Sequence, residues 1–144
     1  MQQLPHLPPD GTGTTTTPSV ELQVWQVVED CNRAFAAGDV ERYFSFIDEE
    51  ITVLTPSNPY RVEGLADDRE EFEWGLRAGT GKVAYFQEFQ PLVRVSGEMA
   101  LVTYCSRGSY GSEGAGKVLY LKETDVLILR HSGWKIIHIH VSAT

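Results

Sequence analysis

Residues 117–130, KVLYLKETDVLILR, decide the fold class, because apolar side chains alternate on both faces of this stretch. Successive side chains of a β-strand point to opposite sides of the sheet. Four apolar residues therefore point each way: Val118, Tyr120, Val126 and Ile128 on one side, and Leu119, Leu121, Leu127 and Leu129 on the other. A face exposed to water would carry more polar residues, so we expect both faces of this strand to be covered.

Three more long strands are predicted around this one, over residues 82–95, 99–110 and 134–143. Segments rich in turn formers connect the four strands: 96–98, the glycine-rich loop 111–116, and 131–133. Pro91 interrupts the first strand, which predicts a bulge or bend there because proline cannot donate a hydrogen bond to the ladder. The last sixty residues therefore indicate an antiparallel meander.

Helices are predicted before this meander. Thr17 or Ser19 can cap a first helix, which Gly38 ends, and Asp39 can cap a second. Short extended segments over 51–55 and 60–63 lead to a third helix over 65–78. That helix carries an acidic run that we expect to be solvated surface, with Leu65, Phe72 and Leu76 facing inward: Asp67, Asp68, Glu70, Glu71 and Glu73.

Helices followed by an antiparallel sheet predict an α+β domain in which the helices pack over one face of a curved sheet. Since three helices can cover only one face, we expect a second copy of the chain to cover the other, giving a homodimer through the sheet. Residues 1–18 hold four of the seven prolines and a run of threonines, which predicts a flexible tail before a single domain over 19–144. An ordered arm on a partner subunit is the alternative for this tail.

Composition excludes several classes of function. The chain has 144 residues and a formal charge of −8, which disfavours binding to nucleic acid. No apolar run exceeds about five residues, so no membrane span is expected. Cys31 and Cys105 lie far apart in the sequence and form no metal or haem motif, as expected for free thiols in a cytoplasmic protein.

Several segments in this order resemble the nuclear transport factor 2-like, or SnoaL-like, superfamily. They are the helix-to-helix turn 36–40, the strand start 51–53 after three acidic residues, the link 62–64, and the ending GWKIIHIHVS over 133–142. The ending is especially similar to the subgroup that includes the association domain of calcium/calmodulin-dependent protein kinase. The resemblance implies a cone-shaped fold with a conical pocket and dimers packed sheet to sheet. Some members are isomerases, cyclases or dehydratases, whereas others only bind or assemble, so the fold does not settle the function.

The resemblance also places residues in the pocket. The catalytic carboxylate of ketosteroid isomerases is matched by Thr55, and their tyrosine by about Cys31, so isomerisation by that mechanism is disfavoured. The pocket arginines of the kinase association domain are matched by Ser106 and Asp125. The implied ligand is therefore a small organic molecule that is neutral, cationic or polyol-like rather than rich in carboxylates.

The strand pattern gives the candidate site residues. Tyr104, Ser106 and Tyr110 share one face of their strand, and Glu123 and Asp125 share a face of the next. His138 and His140 lie on the same side as Trp134, so Asp125 could orient a histidine as a general base. The two histidines could instead be a satisfied polar pair beside the dimer interface, or bind zinc with Asp125 or Glu123. Trp74 and Phe86 are candidate pocket walls, although the pattern favours core packing for both.

No further histidine or cysteine completes a metal site, so neither a metal nor a cofactor is expected. Two functions follow from the sequence. The first is a small-molecule-binding protein whose catalytic candidates are Asp125, His138 and His140 and whose ligand-binding candidates are Thr55, Trp74, Tyr104, Ser106, Tyr110 and Glu123. The alternative is a non-catalytic association module. Whether the protein is an enzyme remains open at this stage.

Overall fold

Two capped helices begin the fold in the computed structural model, which describes residues 18–111 and 116–144. Helix α1 (Val20–Ala37) starts where the backbone N–H of Leu22 donates to Ser19 Oγ at 3.3 Å. It ends at Gly38, whose φ of 69° is the left-handed conformation that glycine adopts without a Cβ penalty. Asp39 then caps helix α2 (Val40–Ser45). These details confirm the predicted helical pair.

The next segment contains β1 (Ile47–Leu54), β2 (Val62–Glu63) and α3 (Leu65–Ala78). Strand β1 starts four residues before the predicted Ile51. The reason is an irregularity against the last strand, where the pairing moves from Ile47 with Ile136 to Thr52 with His138. The acidic residues between those two points belong to the strand although they interrupt its apolar pattern.

The remaining strands are β3 (Val83–Ser96), β4 (Met99–Tyr110), β5 (Lys117–Arg130) and β6 (Gly133–Ala143). The six strands form one curved, unclosed sheet in the order β2-β1-β6-β5-β4-β3. Neighbouring strands are antiparallel except β1 and β6, which are parallel. The α+β architecture with N-terminal helices over the concave face of the sheet is therefore confirmed.

A bulge bends β3 at the predicted position. The register with β4 shifts between Phe89 and Leu92, and Gln90, just before Pro91, has a φ of 55°. Because one extra residue reverses the direction of every later side chain, Phe86 and Glu88 face the helices before the bulge, whereas Val93 and Val95 face them after it.

We call the face of the sheet that packs against the helices the inner face, and the opposite one the outer face. The core lies between the helices and the inner face, and α1 crosses β3. Apolar side chains exposed by no more than 1% form its centre: Val24, Val28, Ile51, Val102, Leu127 and Ile136.

The predicted exposure of Asp68 is wrong, and two other predicted features lie partly or wholly outside the described residues. Asp68, expected on the solvated face of α3, is buried, with 7% of its surface exposed. The predicted tail over 1–18 lies outside the described residues except for its last residue, as do residues 112–115 of the glycine-rich loop. Among the helices that the structure describes, none is both long and apolar enough to cross a bilayer.

Candidate functional site

A chain of hydrogen bonds crosses the interior from α1 to β5. Tyr104 on β4 lies opposite Glu123 on β5, and both side chains point to the inner face. Asn32 of α1 donates through Nδ2 to the Tyr104 hydroxyl at 3.1 Å, and that hydroxyl donates to Glu123 Oε2. Burial, followed by the charges of Glu123 and Asp125, raises the pKa of Tyr104 well above its usual value, so the phenol remains a donor.

Glu123 and Asp125 form a carboxyl pair two residues apart on the same face of β5. Burial raises the pKa of both groups, and a hydrogen bond between them raises that of Asp125 further while lowering that of Glu123. Asp125 is therefore the protonated member and Glu123 carries the charge. Asp125 is 1% exposed, and its Oδ1 has no hydrogen-bond partner among the described residues.

A third carboxyl group, Asp68 of α3, faces the same interior. Its charge raises the pKa of both Cys31 on α1 and Tyr43 on α2, as do the charges of Glu123 and Asp125, although burial is the main cause for both residues. Burial, and next the charge of Glu71, raises the pKa of Asp68 to about 7. We name Asp68, Glu123 and Asp125 the inner carboxyl cluster.

The two histidines lie outside this cluster, so the expected pairing of Asp125 with a histidine is wrong. Asp125 lies opposite Ile139, whereas His138 lies opposite Val126. The reason is a bulge: Leu127 pairs with Ile136 and Val126 with His138, which leaves Ile137 extra and reverses the side-chain alternation after Ile136. His138 therefore points to the outer face, where its Nδ1 lies 2.7 Å from Thr52 Oγ1.

His140 shares the outer face, since it lies opposite Thr124. The two histidines cannot bind zinc together with Asp125 or Glu123, because the histidines lie on the outer face and these carboxyl groups on the inner face. Within residues 18–111 and 116–144, no three histidine, cysteine or acidic side chains are arranged to hold a metal ion.

The other predicted site residues divide into two groups. Ser106 and Tyr110 lie on the inner face with Tyr104, and burial raises the pKa of Tyr110 to about 12. Thr55 and Trp74 lie elsewhere. Thr55 Oγ1 is 3.1 Å from Ser57 Oγ beyond the end of β1, and Trp74 is 58% exposed in a surface groove of about 610 Å³.

Two interior polar residues were missed, although the sequence contains a signal for each. Asn32 follows the apolar stripe of α1 at helical spacing, four residues after Val28. Asp68 lies three residues after Leu65 and four before Phe72, which places all three on one face of α3. Helical periodicity predicts that both side chains face inward, whereas their polarity alone predicts exposure to solvent.

A second feature is the outer face of β3–β5, which exposes large apolar side chains. The exposed fraction of each lies between 38% and 54%: Tyr85, Phe89, Met99, Leu101, Val118 and Tyr120. We name these six residues the outer apolar patch. Every charged side chain that the register assigns to the outer face of these three strands is basic, although the chain is acidic overall: Arg94, Arg107, Lys122 and Arg130.

The sequence profile of the calcium/calmodulin dependent protein kinase II association domain matches residues 20–144. The chain belongs to this family. Its fold is also that of the predicted nuclear transport factor 2-like superfamily. A comparison of this association domain with curated proteins gives no match.

Solved structures share the fold of this association domain. The S. rosetta CaMKII hub is 23% identical with a TM-score of 0.78, over 90% of this association domain and 100% of the hub. The Chlamydamonas reinhardtii CamKII hub homology domain is 26% identical with a TM-score of 0.72, over 88% and 99% of the two chains. An NTF2-like protein of unknown function from Pseudomonas putida KT2440 is 20% identical with a TM-score of 0.76, over 86% of each chain.

Proposed function

We propose that this association domain assembles with copies of itself through the outer face of its sheet. The observation that carries the proposal is the outer apolar patch. Monomeric proteins rarely expose a large continuous apolar surface, and self-association removes such a surface from water. Membership of an association-domain family and the likeness to hub domains support a second copy of the chain as the partner.

The arrangement of the outer apolar patch suits a two-fold interface. Leu101 lies between Arg94 and Val126 on the neighbouring strands, and Met99 lies opposite Ile128, so apolar side chains adjoin one another across β4 and β5. A two-fold axis through such a surface places the same residues of both copies in contact. The histidines, at the β6 side of this face, would then lie near the interface rather than in a catalytic site.

The basic side chains around the patch predict how salt affects assembly. A two-fold interface brings Arg107 and Lys122 of one copy closer to their counterparts in the second copy. Like charges on an exposed surface repel one another, and salt screens this repulsion. Association should therefore strengthen as ionic strength rises from about 0.05 to 0.5 M, provided that the outer face is the interface.

Substitution within the patch tests the proposal. Leu101→Glu places a charge in the patch, whereas Val20→Glu changes a side chain of similar exposure at the start of α1, 41% against 43%. Sedimentation over a concentration series should show association weakened at least tenfold by Leu101→Glu and unchanged by Val20→Glu. A wild-type chain that stays monomeric at high concentration, or a Leu101→Glu variant that assembles normally, would refute the proposal.

A second candidate function is the binding of a small organic molecule in the interior, with acid–base chemistry as a further step. The shared proton of Glu123 and Asp125 favours this candidate, because a carboxyl pair with one proton can both donate and accept. A thermal-shift screen of steroids, polyketide fragments and sugars tests it. Any stabilisation by a binder should disappear in Asp125→Asn, and a complete absence of stabilising compounds would count against the candidate.

A further inference from the structure

The inner carboxyl cluster has no basic counterpart in the part of the chain that the structure describes. Across the described ranges 18–111 and 116–144, no salt bridge joins Asp68, Glu123 or Asp125 to a lysine, arginine or histidine. Buried carboxyl groups are normally paired with a cation or fully hydrogen-bonded, because desolvation of a lone charge is costly. Hydrogen bonds from Tyr104 and Asp125 therefore stabilise Glu123 in place of a counter-ion.

Unpartnered oxygen atoms give a second, independent indication of an open binding position. Asp125 Oδ1 and Asp68 Oδ2 are both buried, and neither has a hydrogen-bond partner among the described residues. The two residues are 1% and 7% exposed, so bulk water does not satisfy these atoms. Native structures leave few buried polar atoms unsatisfied, and each one calls for an explanation such as a missing ligand. Both atoms are acceptors once Asp125 and Asp68 are ionised, so a ligand that binds the ionised form must be a donor.

The geometry of the cluster favours an organic donor over a metal ion. The three carboxyl groups come from two different walls of the interior, α3 and β5, and the described residues form no group arranged to hold a metal. Hard cations require several oxygen atoms that converge on one point. An ammonium or guanidinium group can instead donate separate hydrogen bonds to acceptors that do not converge.

Solvent can reach this interior beside the carboxyl pair. Asn32, Glu88 and Glu123 are only partly buried, whereas Asp125 behind them is almost completely enclosed. Glu88 adds a further acidic group at this side, because it lies opposite Ser106 on the inner face. An entering molecule would therefore pass acidic side chains before reaching Asp125.

We propose that the inner carboxyl cluster binds a small organic cation that carries an ammonium or guanidinium group. The cation donates to the free oxygen of Asp125 and to Glu123, while Tyr104 and Asn32 hold Glu123 in position. Asp125 gives its proton to solvent when the cation binds, so that the cation faces two carboxylates. The proposal rests on the second candidate function and names its ligand class.

A matched series of four-carbon compounds separates the ligand classes on the wild-type chain. Putrescine is a diammonium ion, 1,4-butanediol is neutral and succinate is a dianion. Isothermal titration calorimetry at pH 7.5 should show saturable binding of putrescine, at least tenfold tighter than that of the other two. Tighter binding of butanediol or succinate would overturn the cation proposal but leave small-molecule binding intact. Absence of binding by all three compounds would overturn the cation proposal. The thermal-shift screen of steroids, polyketide fragments and sugars would still test the second candidate function.

Variants locate the site and distinguish specific binding from nonspecific electrostatic attraction to an acidic protein. Asp125→Asn and Glu123→Gln nearly preserve shape and should weaken putrescine binding at least tenfold. Asp67→Asn, which removes an exposed charge next to Asp68, should leave it unchanged. Equal binding by wild type and both cluster variants would show that putrescine binds elsewhere and would overturn the proposal.

Proton release provides a separate readout. The groups around Asp125 are Glu123 on its own strand and, from the packed elements, Tyr104, Cys31 and Tyr43. Since the neutral form of Asp125 dominates without ligand, putrescine binding should tighten severalfold between pH 6 and pH 8 in the wild type. The same change should be smaller in Asp125→Asn. A pH dependence that is identical in both proteins would exclude Asp125 as the group that releases the proton.

Discussion

Tyr104 and Glu123 lie directly opposite each other on β4 and β5, and the hydroxyl of Tyr104 donates a hydrogen bond to the Glu123 carboxylate. The register of β4 and β5 therefore places the Tyr104 hydroxyl where it stabilises the interior charge of Glu123. Asn32 extends the contact to α1. A single set of hydrogen bonds therefore links the helical layer to the centre of the sheet, and its integrity should affect stability as well as binding.

Tyr104→Phe should lower the free energy of unfolding by about 1–3 kcal/mol, because Glu123 and Asn32 each lose a partner in a buried setting. Urea denaturation measures the change. Tyr60→Phe, at a tyrosine that is 77% exposed, is the control and should shift stability by less than about 0.5 kcal/mol. Equal effects of the two substitutions would show that the interior hydrogen bonds contribute nothing.

Asp68→Asn should change the pH dependence of stability. The pKa of Asp68 is raised by burial from 3.8 to about 7 in the folded state, so folding favours its protonated form. The wild-type free energy of unfolding should therefore fall as pH rises from 3.8 to about 7, and Asp68 should contribute up to about 4 kcal/mol of this decrease. Asp68→Asn should lack this contribution to the decrease. The stability of the variant relative to the wild type should therefore increase from pH 5 to pH 8. Asp67→Asn should keep the wild-type profile, and parallel profiles for all three proteins would contradict the prediction.

Arg130→Gln should destabilise the fold at neutral pH. Arg130 donates to both carboxylate oxygens of the buried Asp48, at 2.8 and 3.2 Å, and these hydrogen bonds are the main reason why the pKa of Asp48 is lowered. Removing the guanidinium leaves Asp48 without its counter-ion, at a cost of about 1–3 kcal/mol.

This cost should shrink as pH falls. The lowered pKa of Asp48 stabilises the folded state above the usual value of 3.8, and this contribution disappears as the carboxylate becomes protonated. Thermal unfolding at pH 7 and pH 3 measures the difference. Arg33→Gln, in an ion pair whose arginine side chain is 65% exposed, should have little effect at either pH. A constant Arg130→Gln penalty at both pH values would disprove the role of Asp48.

Gln90→Gly should stabilise the fold by about 1 kcal/mol, because the φ of 55° at this position is strained for a residue with a Cβ. Gln87→Gly, in the same strand but with ordinary extended backbone, should destabilise by a similar amount, since glycine loses more entropy on folding. Paired urea denaturation curves compare the two variants. Destabilisation by both would show that the β3 bulge carries no backbone strain.

Local signals in the sequence were sufficient for most of the architecture. Helix α3 and strands β4 and β5 have the predicted limits, because glycines and other turn formers flank segments of clear periodicity. The bulge beside Pro91 was also predictable, since proline removes a ladder donor. The early start of β1 was not, because it depends on how β1 pairs with β6, a partner about ninety residues away.

The interior could be predicted only in part. Side-chain alternation correctly placed Tyr104 with Glu123 and Asp125 on the inner face, because β4 and β5 pair without interruption. It failed for His138 because the bulge at Ile137 is not evident in a run of apolar residues. The burial of Asp68 was not predicted although it shares a helical face with Leu65 and Phe72, because it belongs to an acidic run that is otherwise typical of solvated surface.

The extra residue at Ile137 has an evolutionary consequence. If β6 kept all its residues but paired with β5 without the bulge, every residue after Ile136 would shift by one register position. Both imidazoles of β6 would then turn towards the face of Asp125, and Ile139 and Val141 would turn to the opposite side. A shift of one register position could therefore exchange an aliphatic lining for a pair of titratable rings without a single amino-acid replacement. Within this architecture, gain or loss of a bulge in the final strand offers a direct route between scaffolds and potential catalysts.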